Sequence, residues 1–181
     1  MRSKFCVLVL ALCVGVAIYP WVAGATTLDI SDQNSRITFK GEHAGMAFSG
    51  TFEEWQSRLI LPPSKSPSIE AVFELASAKT GDWTYDSTLP EEDWFNIEKH
   101  PKGKFQATDI TSNAAGFHVK GELTLKGIGQ PVEFQLIGDA ERGFKATIVV
   151  DRLAHKIGYE SDPNAEWVSQ EIVLDLIINH P

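Results

Sequence analysis

From Phe117 to Lys126 the chain alternates apolar and polar residues without a break, and this period of two restricts its fold more than any other feature. Side chains alternate across a strand, so Phe117, Val119, Leu123 and Leu125 share one face with Gly121. His118, Lys120, Glu122, Thr124 and Lys126 share the other face, which is expected to look outward. Gly127, Gly129 and Pro131 are expected to turn the chain, and Val132–Leu136 then alternates again. Two such runs joined by a short glycine-rich link predict a hairpin with one buried face. That face must be turned towards either another packed sheet or a ligand.

The same pattern recurs along the chain. Arg36–Lys40, Gly45–Phe52, Arg58–Leu61, Ser68–Ser77, Lys104–Ile110 and Gly143–Val150 all read as strands. Gly50 within the second of these predicts a bend or a close backbone approach. Glu166–Asn179 closes the series. Val168, Ile172, Leu174, Leu176 and Ile178 share one side with Gln170, and Val173 and Ile177 on the other side suggest a strand partly covered on both faces. Ala78–His100 breaks the period: Ser87 or Thr88 can cap a short helix with Pro90 in its first turn, ending at Trp94 and Phe95. Helices do not alternate with strands, so a parallel sheet is not expected.

The N-terminus follows a different logic. Arg2 and Lys4 precede an apolar run of 14 residues, Phe5–Ile18, and Ala23-Gly24-Ala25 offers a small-residue cleavage site. Residues 1–25 therefore read as a secretory signal and residues 26–181 as one mature domain, expected in the periplasm. The alternative is an uncleaved anchor over Phe5–Ala25, which is long enough to cross a bilayer. Both cysteines, Cys6 and Cys13, fall in this segment, so the mature chain has no thiolate chemistry or sulfur-bound metal. With Arg2 and Lys4 removed from 16 basic residues, against 24 acidic ones, the mature net charge is −10. That charge, with no basic run, argues against a nucleic-acid partner, because such binding rests on cationic contacts to phosphates.

About eight antiparallel strands and one or two short helices describe an all-β chain that is either a sandwich or a barrel. Barrel closure removes the exposed edges, and about eight strands leave an interior either filled by side chains or able to hold one small ligand. Nine Phe and four Trp remain after residue 25, which favours a wide interior.

Four blocks make the reading more specific. They are Ile37-Thr-Phe-Lys-Gly-Glu-His43 with Phe48-Ser-Gly-Thr-Phe52; Leu89–Phe105, which contains Trp94-Phe95 and His100-Pro101; Gly121-Glu-Leu-Thr-Leu-Lys-Gly127 with Pro131-Val132; and Arg152–Gly158. In these blocks the chain resembles the YceI-like family of lipocalin-like, polyisoprenoid-binding proteins. The resemblance implies an extended eight-stranded antiparallel lipocalin-like β-barrel holding a long isoprenoid in an apolar tunnel. The chain departs from the family pattern at Ala154, His155 and Lys156, where an acidic residue, an aromatic and a glycine usually stand.

The expected tunnel residues are Phe39, Phe48, Phe52, Phe73, Trp94, Phe95, Phe105, Phe117, Val119, Leu123, Leu125 and Phe134, with Trp94 and Phe95 as lids. For any one aromatic residue taken alone, ordinary core packing is the leading explanation, and only the set within such a barrel favours lumen lining. The resemblance places His43, and more loosely Arg152, at a polar end near a head group; a hydrogen-bonded turn histidine is the competing role for His43. His100, His118 and His180 read as surface residues. No histidine pair has metal-site spacing, Ser49 lacks the context of a nucleophile, and no cofactor is implied. The expected function is therefore binding: an isoprenoid lipid or a quinone, taken up through transient membrane contact, with no catalytic residue. Two other classes compete with it. One is a sandwich-type carbohydrate- or protein-binding module using Trp55, Trp83 and Trp167 on its surface, and the other is a hydrolase built on His43 or His118.

Overall fold

The computed structural model describes residues 26–179. The segment read as a secretory signal, and His180, lie outside the described residues. Eleven strands form one antiparallel sheet: β1 (Thr26–Ser31), β2 (Arg36–His43), β3 (Met46–Phe52), β4 (Trp55–Leu61), β5 (Ser68–Glu74), β6 (Ala78–Lys79), β7 (Lys102–Asn113), β8 (Gly116–Leu125), β9 (Ile128–Asp139), β10 (Gly143–Asp151) and β11 (Glu171–Ile178). Their order across the sheet is β1-β4-β5-β7-β8-β9-β10-β11-β2-β3-β6. The all-β, lipocalin-like architecture is the one expected. The strand count is higher because β1, which has few alternating residues, and the two-residue β6 extend the two ends of the ladder.

The sheet curls, so that β3 and β4, near opposite ends of the strand order, are joined by only Glu53-Glu54. A 3₁₀ turn, Leu75–Ser77, stitches this seam. Glu53 N–H donates to Ser77 O at 3.1 Å, Glu54 N–H to Ser77 Oγ at 3.0 Å, and Glu74 N–H to Glu54 O at 3.0 Å. These bonds pair the backbone groups of the β3–β4 link with the turn after β5.

The opening hairpin is β8 and β9. Leu125 pairs with Ile128, so the turn is only Lys126-Gly127, and both residues have positive φ, at 50° and 73°. Two positive φ values match the right-handed twist of the flanking strands. Gly129 and Pro131, expected in the turn, lie within β9 instead. Gly121 faces inward, and a Cβ there would come 2.5 Å from the Phe105 ring and 2.6 Å from Gln106 O. The missing side chain thus lets the Phe105 ring lie flat on the wall, next to a bulge between Ala107 and Asp109.

The helix differs from expectation. It is α1 (Trp83–Thr88), and its cap is Asp82, whose carboxylate accepts from Thr84 N–H at 2.8 Å and Tyr85 N–H at 3.4 Å. Ser87 and Thr88 sit in its last turn and bond back to Thr84 O. Asp82 is the cap because its extended backbone, at φ −100° and ψ 123°, lets its carboxylate reach free N–H groups of the first turn. The outer face of β11 is partly covered, as expected at Val173, which is half-buried, but not at Ile177, which is exposed; Ile172, Leu174, Leu176 and Ile178 face the interior.

Candidate functional site: an apolar lumen closed by an arginine-centred loop

The inward faces of nearly every strand converge on one cavity of about 130 Å³. Ile30 comes from β1, Ile37 and Phe39 from β2, Trp55 and Leu59 from β4, Phe134 and Leu136 from β9, and Leu174 and Leu176 from β11. Aromatic rings occupy much of the interior. Phe52 lies 5.5 Å from Phe39, 5.8 Å from Phe73 and 6.3 Å from Phe95, centroid to centroid, all in tilted geometry. Phe105 and Phe134 pair at 5.6 Å. Tilted pairs of this kind contribute about 0.5–1.5 kcal/mol each beyond their burial.

Ten of the expected tunnel residues line this cavity: Phe39, Phe48, Phe52, Phe73, Trp94, Phe95, Phe105, Leu123, Leu125 and Phe134. Val119 is fully buried in the core but does not reach the cavity, and Phe117 packs on Phe144 at 6.0 Å near the far end. Sequence reasoning favoured rings and passed over the aliphatic half of the wall. The signal for that half was present in the even positions of Glu166–Asn179. It also passed over Trp55, expected on a carbohydrate-binding surface and found 6 % exposed on the cavity wall. Trp83 and Trp167 are exposed, at 82 % and 61 %.

One end of the lumen is closed by Leu89–Phe95 and by the loop between β10 and β11. Arg152 organises this closure. Only 2 % exposed, it donates through Nε to Ser169 O at 3.1 Å, through Nη1 to Ile157 O at 2.9 Å and Gly158 O at 3.2 Å, and through Nη2 to Val168 O at 2.8 Å and Asp162 Oδ2 at 2.6 Å. A guanidinium has five N–H groups, and all five are engaged. Arg152 reaches the cavity wall, but it has no donor left for a head group. Its guanidinium carbon also lies 6.0 Å over the Trp94 ring, which fixes that side chain between the loop and the lumen.

Electrostatics follow from this burial. Loss of water pushes the Asp162 carboxyl up, but donation from Val168, Glu166 and Trp167 N–H, together with the Arg152 charge, outweighs it and holds the carboxyl below the usual carboxylate range. Burial pulls Arg152 down from the ordinary arginine value, and Asp162 partly offsets it. His155, 1 % exposed, is likewise pulled down by burial, against a hydrogen bond from Nδ1 to Ile128 O at 2.9 Å.

Two further residues differ from their expected roles. Lys126, expected on the outer face, donates to Asp93 O at 2.6 Å and Lys156 O at 2.8 Å, so the β8–β9 turn ties both closing segments together. Asp93, within the segment expected to be that short helix, accepts from Glu160 N–H at 2.9 Å and Ser161 N–H at 3.0 Å. His43 is half-buried at the end of β2, with Nδ1 2.8 Å from Tyr85 Oη, and is not part of the cavity wall. Among the described residues, no group of three or more His, Cys, Asp or Glu side chains is placed to hold a metal.

Known proteins place this architecture in context. A UPF0312 protein of Serratia proteamaculans is 30% identical over 128 residues, 66% of each chain. One from Photorhabdus laumondii is 29% identical over 119 residues, 63% of this chain and 62% of the relative. This chain thus covers less than two thirds of the length of these two relatives. A Yersinia enterocolitica UPF0312 protein is 27% identical over 86% of this chain and 79% of its own. Among solved structures, Burkholderia cenocepacia BcnA superposes with a TM-score of 0.70 at 21% identity, covering 80% of this chain and 94% of BcnA. A polyisoprenoid-binding domain from Saccharophagus degradans superposes at 0.61 and 11% identity, covering 87% of this chain and all of that domain. The model of the YceI-like domain matches residues 28–179, from β1 through the end of β11, and the chain belongs to that family.

Proposed function

We propose that this protein is an exported binding protein whose lumen takes the tail of an isoprenoid lipid, a polyprenyl phosphate or a quinone-like molecule. The observation that carries the reading is the composition of the cavity wall. Strand after strand contributes aliphatic and aromatic side chains to it, and the one cation that reaches it is already saturated by protein acceptors. Such a surface offers roughly 0.8 kcal/mol per buried CH₂ and nothing to a polar substrate. The polyisoprenoid-binding domain of Saccharophagus degradans, which shares the fold, supports the same ligand class. Binding pockets for small molecules usually measure roughly 300–1,000 Å³. A long tail therefore enters this narrower lumen by displacing the rings of Phe39, Phe52, Phe73 and Phe95.

In this reading the protein acts in the periplasm after cleavage near Thr26, meets the membrane transiently to exchange its cargo, and carries no catalytic residue. Organic extraction and mass spectrometry of the natively purified chain is the primary test, with a co-purified long-chain isoprenoid as the expected result. If no such lipid is found and added polyprenyl compounds do not bind, the proposal fails. Trp94→Ala is expected to speed release of the tail several-fold while lowering the melting temperature by only a few degrees. A large melting shift with unchanged release would make Trp94 a packing residue. Cell fractionation and the N-terminal residue of the purified protein test export.

A further inference from the structure

Beyond the lumen, at the end of the barrel away from Arg152, lies a second cavity of about 680 Å³. Buried Leu61 and Phe144 and half-buried Phe117 form its floor, and exposed Ser112, Asn113 and Arg142 its rim. The two cavities share no lining residue, yet they meet at adjacent positions on three parts of the wall. Phe117 of β8 stands opposite Leu136 of β9, and Phe144 of β10 stands opposite Ile178 of β11. Leu61 follows Leu59 on the inward face of β4. Leu136, Ile178 and Leu59 all line the lumen. Residues directly opposite each other in an antiparallel pair have Cβ atoms about 4.5–5.5 Å apart. One tier of side chains therefore separates the two spaces.

That tier is held in place. The Phe117 and Phe144 rings pack in tilted geometry with 6.0 Å between centroids, and Phe144 is fully buried. The turn before Phe144 is fixed by Asp139, whose carboxylate accepts from Glu141 N–H at 3.0 Å and Arg142 N–H at 2.9 Å. Gly143, at φ 87°, has no room for a side chain, since a Cβ there would lie 2.2 Å from Ile178 O. Strand β10 thus begins in direct backbone contact with the end of β11. We propose that the Phe117–Phe144 pair is the end stop of the lumen and sets the longest tail the protein holds. The inference rests on the tail-binding reading above and adds a length limit to it. Affinity rises roughly fourfold for each further CH₂ buried, so it climbs with tail length while the lumen has room. At the stop the gain ends, because the next segment of tail must part the two rings to reach the far cavity.

Prenols with one head group and increasing tail length (geranyl, farnesyl, geranylgeranyl and solanesyl) test the stop. In the unsubstituted mature protein, affinity is expected to rise with length and then level off within the series. Phe117→Ala, which opens the partition at its half-buried ring, is expected to raise the affinity for solanesol relative to geraniol roughly tenfold. Taking the ratio of variant to unsubstituted protein at each length cancels the tendency of each prenol to leave water. Affinity that keeps rising to solanesol in the unsubstituted protein, or a variant that changes all lengths equally, overturns the stop while tail binding stands. A second readout needs no variant: a farnesyl probe with a photoreactive diazirine at the far tip of its tail. It is expected to label Leu136, Ile178 or Phe144 in the unsubstituted protein. Labelling at Leu89 or Trp94 would place the tip at the Arg152 end and overturn the inference. Failure of the unsubstituted protein to bind any prenol overturns the tail-binding reading and this inference with it.

Discussion

Arg152 illustrates how one side chain can hold a loop that carries little regular structure. Taking a guanidinium and a carboxylate out of water is expensive, and the pair with Asp162 is tolerable because every remaining donor and acceptor is used. Removing one partner leaves the other buried and uncompensated. Arg152→Gln is therefore expected to lower stability by about 3–5 kcal/mol in urea unfolding. A loss below about 1 kcal/mol would mean that the loop is held by other contacts. His155 gives the closing loop a pH dependence. Its pKa in the folded protein lies below its ordinary value of 6.5, so the unfolded chain binds the extra proton first. Its stabilising contribution is complete above that value and is lost as pH falls below it. The melting temperature should fall from neutral towards mildly acidic pH, and His155→Gln should flatten that slope. Asp162 adds a second loss at much lower pH, below its ordinary value of 3.8.

The hairpin β8–β9 shows which properties of an element can be read from periodicity. Alternation identified the inward face of β8 correctly, because a one-residue slip would have turned every apolar side chain outward. The exact turn was harder to read. Three glycine or proline signals, Gly127, Gly129 and Pro131, competed, and the twist-matched pair Lys126-Gly127 took the reversal. Gly121 was legible as a special position, but the reason for it was not, since the Phe105 ring that covers it comes from β7. Gly121→Ala should destabilise the protein by about 1–3 kcal/mol, because the added methyl meets both the ring and the Gln106 carbonyl. Equilibrium denaturation of that variant checks the value, and a neutral result would mean that the wall can give at this point.

For the molecule as a whole, the lumen and the core are the same space. A ligand that binds only the curled sheet must stabilise it. At a free concentration of about one hundred times Kd the gain is about 2.7 kcal/mol. In a domain of this size that corresponds to a rise of roughly 5–10 °C in melting temperature. Thermal unfolding with and without a geranylgeranyl-tailed probe measures it, and an unchanged midpoint at saturating probe would place binding outside the lumen. The same overlap of core and lumen explains why ten of the expected tunnel residues were found there. Inward aromatic residues near the middle of the barrel are lumen residues here, whereas Phe117 and Phe144 pair with each other outside the cavity wall.

Period-two alternation determined the strands, their inward faces and the all-β class, because those properties follow from the local geometry of each strand. It could not assign Trp55, Arg152, His155 or Lys126. Trp55 looked like a surface ring, and Arg152 like a head-group contact. His155 stood out only as a departure from a pattern, and Lys126 as one more outward polar residue. Each acquires its role from partners far away in the chain: Asp162 and Val168 for Arg152, Ile128 for His155, and Asp93 and Lys156 for Lys126. For Trp55, the deciding fact is that β4 turns it inward, opposite Phe73. Whether a buried polar group is satisfied depends on which atoms the fold brings within about 3 Å of it, and that is settled only when the sheet curls.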